Sequence, residues 1–175
     1  MRFKLYTVEI KRPGTTARGH IVAPTENRAA ELVIDHDKTL GLTHECFSLE
    51  RVDKTLPEER KLGLDDLLNN APVCFASYCD NGWIAHTGPV EMLRLYRTED
   101  PKGNEMFAMA PNIDIAAAVF SNTLLPSLPR PHSFSIYEAL ATLPADRICN
   151  IHNLLELGPI GIAEFDEEVG RWMVW

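Results

Sequence analysis

Cysteine is scarce in this chain. There are four, Cys46, Cys74, Cys79 and Cys149, in 175 residues, and no Cys-x-x-Cys pair. That is too sparse for a disulfide scaffold, so free thiols packed as small apolar side chains are expected. No apolar run approaches the ~18 residues of a membrane-spanning helix. The opening Met-Arg-Phe-Lys-Leu-Tyr breaks its apolar residues with charge, unlike the apolar stretch of a signal peptide. Cytoplasmic localisation, with no membrane contact, is the resulting expectation. Also missing are a Gly-x-Ser-x-Gly elbow, a Walker spacing with its Lys-Ser/Thr and the spaced carboxylates of a calcium loop. No low-complexity tract and no internal repeat stand out by inspection. The usual signatures of nucleotide hydrolysis and serine-type acyl transfer are therefore absent.

Positive charge is also in short supply: 17 Lys and Arg stand against 25 Asp and Glu, a net charge of -8. The deficit is uneven. Residues 1–60 carry ten of each sign, whereas residues 61–175 carry seven cations and fifteen carboxylates. An anionic surface repels nucleic-acid phosphates and attracts basic partners. Apolar residues make up 45% and charged residues 24%, a globular composition able to bury a core without staples.

The pattern along the chain predicts an α+β fold. Phe3 to Lys11 and Arg18 to Ala23 read as strands around the turn signal Pro13-Gly14. A helix opens after Pro24-Thr25, with Glu26 favourably placed in its first turn and Gly41 at its stop. Glu45 to Val52 completes an N-terminal β-β-α-β unit. Residues 54–62 are polar, contain Pro57 and read as a connector, which predicts a first unit at 1–53 and an acidic α+β region at 63–175, or one continuous domain. A short helix is expected at 64–69. A central antiparallel meander is expected over Val73 to Ala110, turning at Asn81-Gly82. Helices follow at 113–124, capped by Asn112, at 135–142 from a capping-box spacing, and at 144–157. Pro126 to Pro131 predicts an extended connector. A C-terminal β-hairpin closes the chain, with Trp172 and Trp175 docked or contacting a partner.

Four constellations are chemical candidates. With Asn81-Gly82 as a two-residue loop, Ser77 faces His86, and Cys79 shares their side of the sheet; a nucleophile beside a base is the minimum for covalent catalysis. His44 and Cys46 on a strand, with Cys149 and His152 one helical turn apart, are the donor types of a structural zinc site. Lys11, Arg12 and Arg18 form a basic hairpin tip that can hold phosphates, and with them nucleic acid. Asp65, Asp66, Glu99, Asp100, Glu164, Asp166, Glu167 and Glu168 are carboxylates able to engage a Lys/Arg surface. No constellation contains a full set of nucleophile, base, orienting group and oxyanion donors. The expected function is therefore non-catalytic: an acidic region that binds a basic protein surface, as an inhibitor masking a nucleic-acid-binding protein does. A small Cys/Ser-His or zinc-dependent hydrolase is the alternative.

Overall fold

In a computed structural model of the chain, the described residues are 2–79, 81–100, 102–124, 134–148 and 150–175. The fold is α+β, and the chain divides into two compact units, Met1–Glu91 and Met92–Trp175. The division does not fall in residues 54–62. That segment is polar, yet its carbonyls are used inside the first unit: Trp83 Nε1 donates to the Arg60 carbonyl at 2.7 Å, and the Tyr78 hydroxyl donates to that of Glu59.

The first unit runs β1 (Lys4–Arg12), β2 (Thr15–Ala23), α1 (Glu26–Leu40), β3 (Cys46–Arg51), α2 (Leu64–Asn70), β4 (Cys74–Cys79) and β5 (Gly82–Ala85). Its strands form one antiparallel sheet in the order β3-β1-β2-β4-β5. Strand β1 buries one face, Tyr6, Val8, Ile10 and Arg12, whereas on the other Leu5 is buried, Thr7 and Glu9 are half-buried and Lys11 is exposed, so it is not the strand buried on both faces that its apolar content predicts. The expected β-β-α-β order is present. Thr25 caps α1, accepting from Arg28 N at 3.3 Å, and Gly41 ends it in the left-handed conformation. The buried stripe of α1 is Ala29, Val33, His36 and Asp37, so its last turn carries polar groups into the interior. On the other face Leu64, Leu67 and Leu68 of α2 pack with Leu5, Val22, Ala76 and Trp83.

The second unit runs β6 (Arg94–Glu99), β7 (Glu105–Ala110), α3 (Ile113–Leu124), β8 (Tyr137–Glu138), α4 (Ile151–Leu157), β9 (Gly161–Asp166) and β10 (Arg171–Val174). Its antiparallel sheet has the order β8-β6-β7-β9-β10. The two hairpins expected of a central meander both form, and they belong to different sheets. The helix expected at 135–142 is instead the short strand β8 and a 3-10 turn at Leu140–Thr142. The helix expected at 144–157 is a 3-10 turn at Ala145–Arg147 and then α4. The break comes at Asn150, whose φ of 55° no right-handed helix tolerates. Trp172 causes it: its backbone N–H donates to Asn150 Oδ1 at 3.1 Å, and its indole N–H to the Arg147 carbonyl at 2.6 Å. The proline-rich connector at 126–131 lies outside the described residues.

The two units are the same fold twice. Element order and strand order match throughout, each β6–β10 element taking the place of its β1–β5 counterpart. Register matches as well. Tyr6 pairs with Arg51 as Tyr96 pairs with Glu138, and His20 pairs with Ala76 as Phe107 pairs with Ala163. Isolated backbone bonds recur too. Val52 N donates to Leu5 O at 2.9 Å and Ala139 N to Leu95 O at 2.8 Å; Phe3 N donates to Leu68 O at 3.2 Å and Leu93 N to Leu155 O at 2.8 Å. On this framework the sequence does repeat. Leu5-Tyr6 matches Leu95-Tyr96, Ala23-Pro24 matches Ala110-Pro111, and Thr55-Leu56-Pro57 with Arg60 matches Thr142-Leu143-Pro144 with Arg147. The repeat missed by inspection is an internal duplication.

Each copy is fastened by one indole. Trp83 lies edge-on to His20 at 4.9 Å and to Tyr78 at 5.4 Å, with the Arg60 guanidinium over the Tyr78 ring at 6.0 Å. Trp172 lies edge-on to Phe107 at 5.2 Å and to Phe165 at 5.6 Å, with Arg147 over Phe165 at 5.3 Å. Trp172 is 2% exposed, so Trp172→Ala is expected to destabilise the second unit by about 3–5 kcal/mol. Trp172→Phe keeps most of the packing but strands the Arg147 carbonyl, costing about 1–3 kcal/mol. Urea unfolding followed by tryptophan fluorescence measures both; equal losses would mean that the hydrogen bond contributes nothing.

Candidate functional site

The β4–β5 hairpin decides the nucleophile-base candidate. Cys79 pairs with Gly82, Tyr78 with Trp83, and Ser77 with Ile84. The pairing is thus moved one residue along each strand from the expected one, and Gly82 explains it. This glycine has φ of 103°, and a Cβ here would lie 2.8 Å from the Leu62 carbonyl oxygen. Only glycine fits, so Gly82 becomes a strand residue instead of a turn residue. Because both strands move together, Ser77, Cys79 and His86 stay on one face. His86, however, now stands opposite Phe75, to whose carbonyl its backbone N–H donates at 2.9 Å. Ser77 and His86 become diagonal neighbours, a relation of about 7–8 Å. The Cys79 thiol donates to the Gly82 carbonyl at 3.3 Å. Cys74, two residues from Ala76, is buried, and burial pushes its thiol pKa up, opposed by the His86 backbone N–H. The hairpin therefore places Ser77 diagonal to His86 and not opposite it.

The zinc candidate divides between units: His44 and Cys46 are in the first, His152 is exposed on α4 of the second, and Cys149 lies outside the described residues. His44 has a different commitment. Its Nδ1 meets Asp37 Oδ2 at 2.5 Å, and its ring lies edge-on to Phe47 at 5.3 Å. The last turn of α1, the end of β1 and the loop to β3 together build this group. Arg12 Nη2 donates to Asp37 Oδ1 at 2.5 Å and Arg12 Nη1 to the Thr43 carbonyl at 2.9 Å; His36 Nδ1 is 3.4 Å from Asp37 Oδ1. Arg12 and Asp37 are 7% and 4% exposed, so the ion pair is buried. Burial raises the Asp37 pKa, but hydrogen bonds from Arg12 and His44 outweigh it and hold the carboxyl below its usual range. A carboxylate orienting an imidazole is half of a general-base device; Cys46, the thiol nearest His44 in sequence, is exposed on β3 opposite Lys11. The second copy builds the same sheet with apolar Leu124 at the position of Asp37.

The basic tip is partly spent. Arg12 turns inward to Asp37, Arg18 Nε donates to Glu9 at 2.8 Å, and Lys11 remains exposed.

The acidic candidates separate by unit. Asp65 pairs with Arg2, and Asp66 accepts from Asn70 at 2.6 Å, both on α2. The other six belong to the second unit, where strand direction collects them. Strand β7 is antiparallel to both β6 and β9, so the β6–β7 and β9–β10 turns lie at the same end of the sheet. Asp100 shapes the first turn, accepting from Lys102 N at 2.7 Å and Asn104 N at 2.8 Å. Asp166 shapes the second, accepting from Glu168 N at 2.9 Å and Val169 N at 3.0 Å. Hydrogen bonds from the Asn104 side chain and backbone lower the Asp100 pKa. Glu167 pairs with Arg147. Residues 97–105 and 164–171 hold seven carboxylates and three cations; the equivalent stretches of the first unit, 7–18 and 77–82, hold two carboxylates and three cations.

Comparison with protein-family models, curated proteins and solved structures found no match. The chemistry of these groups must therefore be read from their own geometry.

Two outcomes follow. Arg12→Leu leaves Asp37 buried without its guanidinium and should destabilise the protein by about 3–5 kcal/mol, whereas Arg12→Leu/Asp37→Leu should recover much of that loss. Denaturant unfolding of the three proteins tests it, and an additive double variant would refute the buried pair. His20, half-buried against Trp83, has its pKa lowered to about 4 by burial and then by Arg60. An unfolded histidine binds its proton near pH 6.5. The folded state resists that proton, so stability present above about pH 6.5 is lost as pH falls toward 4. His20→Phe, copying Phe107 of the second unit, should lose less stability than the wild type between pH 7 and pH 4.5, measured by urea unfolding at each pH.

Proposed function

We propose that this is a non-catalytic binding protein. The acidic sheet end of its second unit docks onto a basic surface of a protein partner and masks a surface made for nucleic acid. One observation carries the reading: two copies of one fold present opposite charge balances at the same end of the sheet. Residues 97–105 and 164–171 are strongly anionic, while their first-unit equivalents carry one more cation than carboxylate. Asp100 and Asp166 build their turns, but among the described residues the remaining carboxylates make no backbone bond there, and the first copy closes the corresponding hairpins with one Glu and one Asp. Hairpin turns are also rigid mounts. Asp100 and Asp166 are locked by backbone N–H groups, so neighbouring Glu99, Glu164 and Glu168 project from fixed positions, and a preorganised charge array loses little entropy on binding. Electrostatic complementarity of this kind raises the association rate and selects the partner.

Affinity capture from the native host, with the full-length chain as bait, tests the proposal. The expected partner is basic, is released as salt rises toward 1 M, where screening shortens to about 3 Å, and loses nucleic-acid binding when occupied. Glu164→Lys/Glu168→Lys should weaken capture by about tenfold, without disturbing the two aspartates that make the turns. Capture indifferent to salt or to that charge reversal would overturn the reading.

A further inference from the structure

The first unit contains a cleft of about 400 Å³ beside α2, within the size range of small-molecule sites. Its rim is cationic: Arg2, Lys4, Arg51, Lys54 and Lys61 line it with only two carboxylates, Asp53 and Asp65. The carboxylates are engaged. Asp53 takes two hydrogen bonds from Arg51, at 2.7 and 2.8 Å, and those bonds hold its pKa down. Asp65 pairs with Arg2. Lys61 lies 2.5 Å from Glu58, and among the described residues Lys4 and Lys54 form no ion pair. The floor is apolar, made by Phe3, Leu64 and Leu68.

The duplication shows which of these features the fold needs. The floor is kept: Leu93, Ile151 and Leu155 stand at the places of Phe3, Leu64 and Leu68. The cationic rim is kept at one place only: Arg94 stands where Lys4 does, whereas Met92, Glu138, Ala141 and Ile148 replace Arg2, Arg51, Lys54 and Lys61, and Leu140 replaces Asp53. Four of the five cations, Arg2, Arg51, Lys54 and Lys61, have no cationic counterpart in the second copy, which closes the same sheet without them. A charge-bearing ligand accounts for them. We propose that this cleft binds a small phosphomonoester with a flat apolar body, of mononucleotide size. The phosphate would sit among Lys4, Lys54 and Lys61, and the apolar body against Phe3, Leu64 and Leu68. Lysines take phosphate as point charges and leave its orientation to the apolar contacts. This site is independent of the acidic end of the second unit.

Titration calorimetry of the full chain at low salt, with adenosine 5′-monophosphate as the probe, tests the proposal. Saturable binding is expected, weakening as salt rises. Lys54→Ala/Lys61→Ile should reduce the affinity roughly tenfold, the equivalent of losing two partly exposed ion pairs. Those replacements are the residues the second copy uses at the same places, so the fold accommodates them, and an unchanged far-ultraviolet dichroism spectrum and thermal midpoint would verify it. Inorganic phosphate and adenosine, titrated separately, should each bind more weakly than the monophosphate. Absence of saturable monophosphate binding, unchanged affinity in the double variant, or equal affinity for inorganic phosphate alone would overturn the proposal.

Discussion

The indole at the start of the last strand holds each copy together. Its N–H reaches across to the carbonyl of an arginine in a 3-10 turn, and its ring fills the space between two strands of the sheet. That bond ties the polar segment before α2 or α4 to the sheet, together with the Tyr78 hydroxyl on the Glu59 carbonyl in the first copy and the Trp172 backbone on Asn150 in the second. With it, the arginine lies over the neighbouring aromatic ring, and the short helix is delivered to the sheet face. The 3-10 turn ends where the indole needs a free acceptor, and a left-handed residue follows before the helix starts: Gly63 in the first copy, Asn150 in the second. The same contact therefore explains the segment taken for a linker and the helix that breaks.

Duplication changes what an unusual residue means. In a single domain, a cationic cleft or an acidic turn has no internal control to show whether the fold requires it. Here a second solution to the same packing problem is present in the same chain. Features shared by the copies, such as Leu5 and Leu95, Ala29 and Ala116, or the paired indoles, are the ones the sheet and its two helical layers require. Features held by one copy are free of that requirement. The acidic sheet end, the lysine-rimmed cleft and the buried Arg12–Asp37 pair all fall in the second class.

The local elements were legible because their signals are local. Strand patterning, the helix start after Pro24-Thr25, the Asn112 cap and the Gly41 stop each act within a few residues, and the structure has them where the sequence predicts. The duplication was hidden because its conserved residues are scattered and its hairpins differ in length. Thr7 and His20 are paired across 13 positions, whereas the equivalent Arg97 and Phe107 are paired across 10, because the second hairpin has shorter strands, so the copies fall out of step along the chain. The β4–β5 register was misjudged for a non-local reason. Asn-Gly is a strong turn signal, but Gly82 is needed in the strand against Leu62. Asp37 was invisible as a site residue because a lone aspartate in a helix looks like a solvated face until Arg12 is known to point beneath it.

The buried Arg12–Asp37 pair also explains why the copies differ in size. Strands β1 and β2 have nine residues each where β6 and β7 have six. A longer hairpin under α1 exposes a further layer that must be filled. An apolar layer would have sufficed, as Leu124 does in the second copy. A buried ion pair offers no gain in stability over such packing, but it accepts one geometry only. Arg12 bonds both the helix, through Asp37, and the following loop, through Thr43, while His44 closes on the same carboxylate from the loop. Three chain segments are thus locked in one arrangement, which sets the start of β3, where Glu45 N donates to Lys11 O at 2.8 Å. β3 pairs with β1 up to Arg51, the residue that grips Asp53 at the rim of the cleft. Specificity at one end of the sheet is in this way carried along a strand to the other, and the rigid pair is best understood as what sets the register of the strand that carries Arg51.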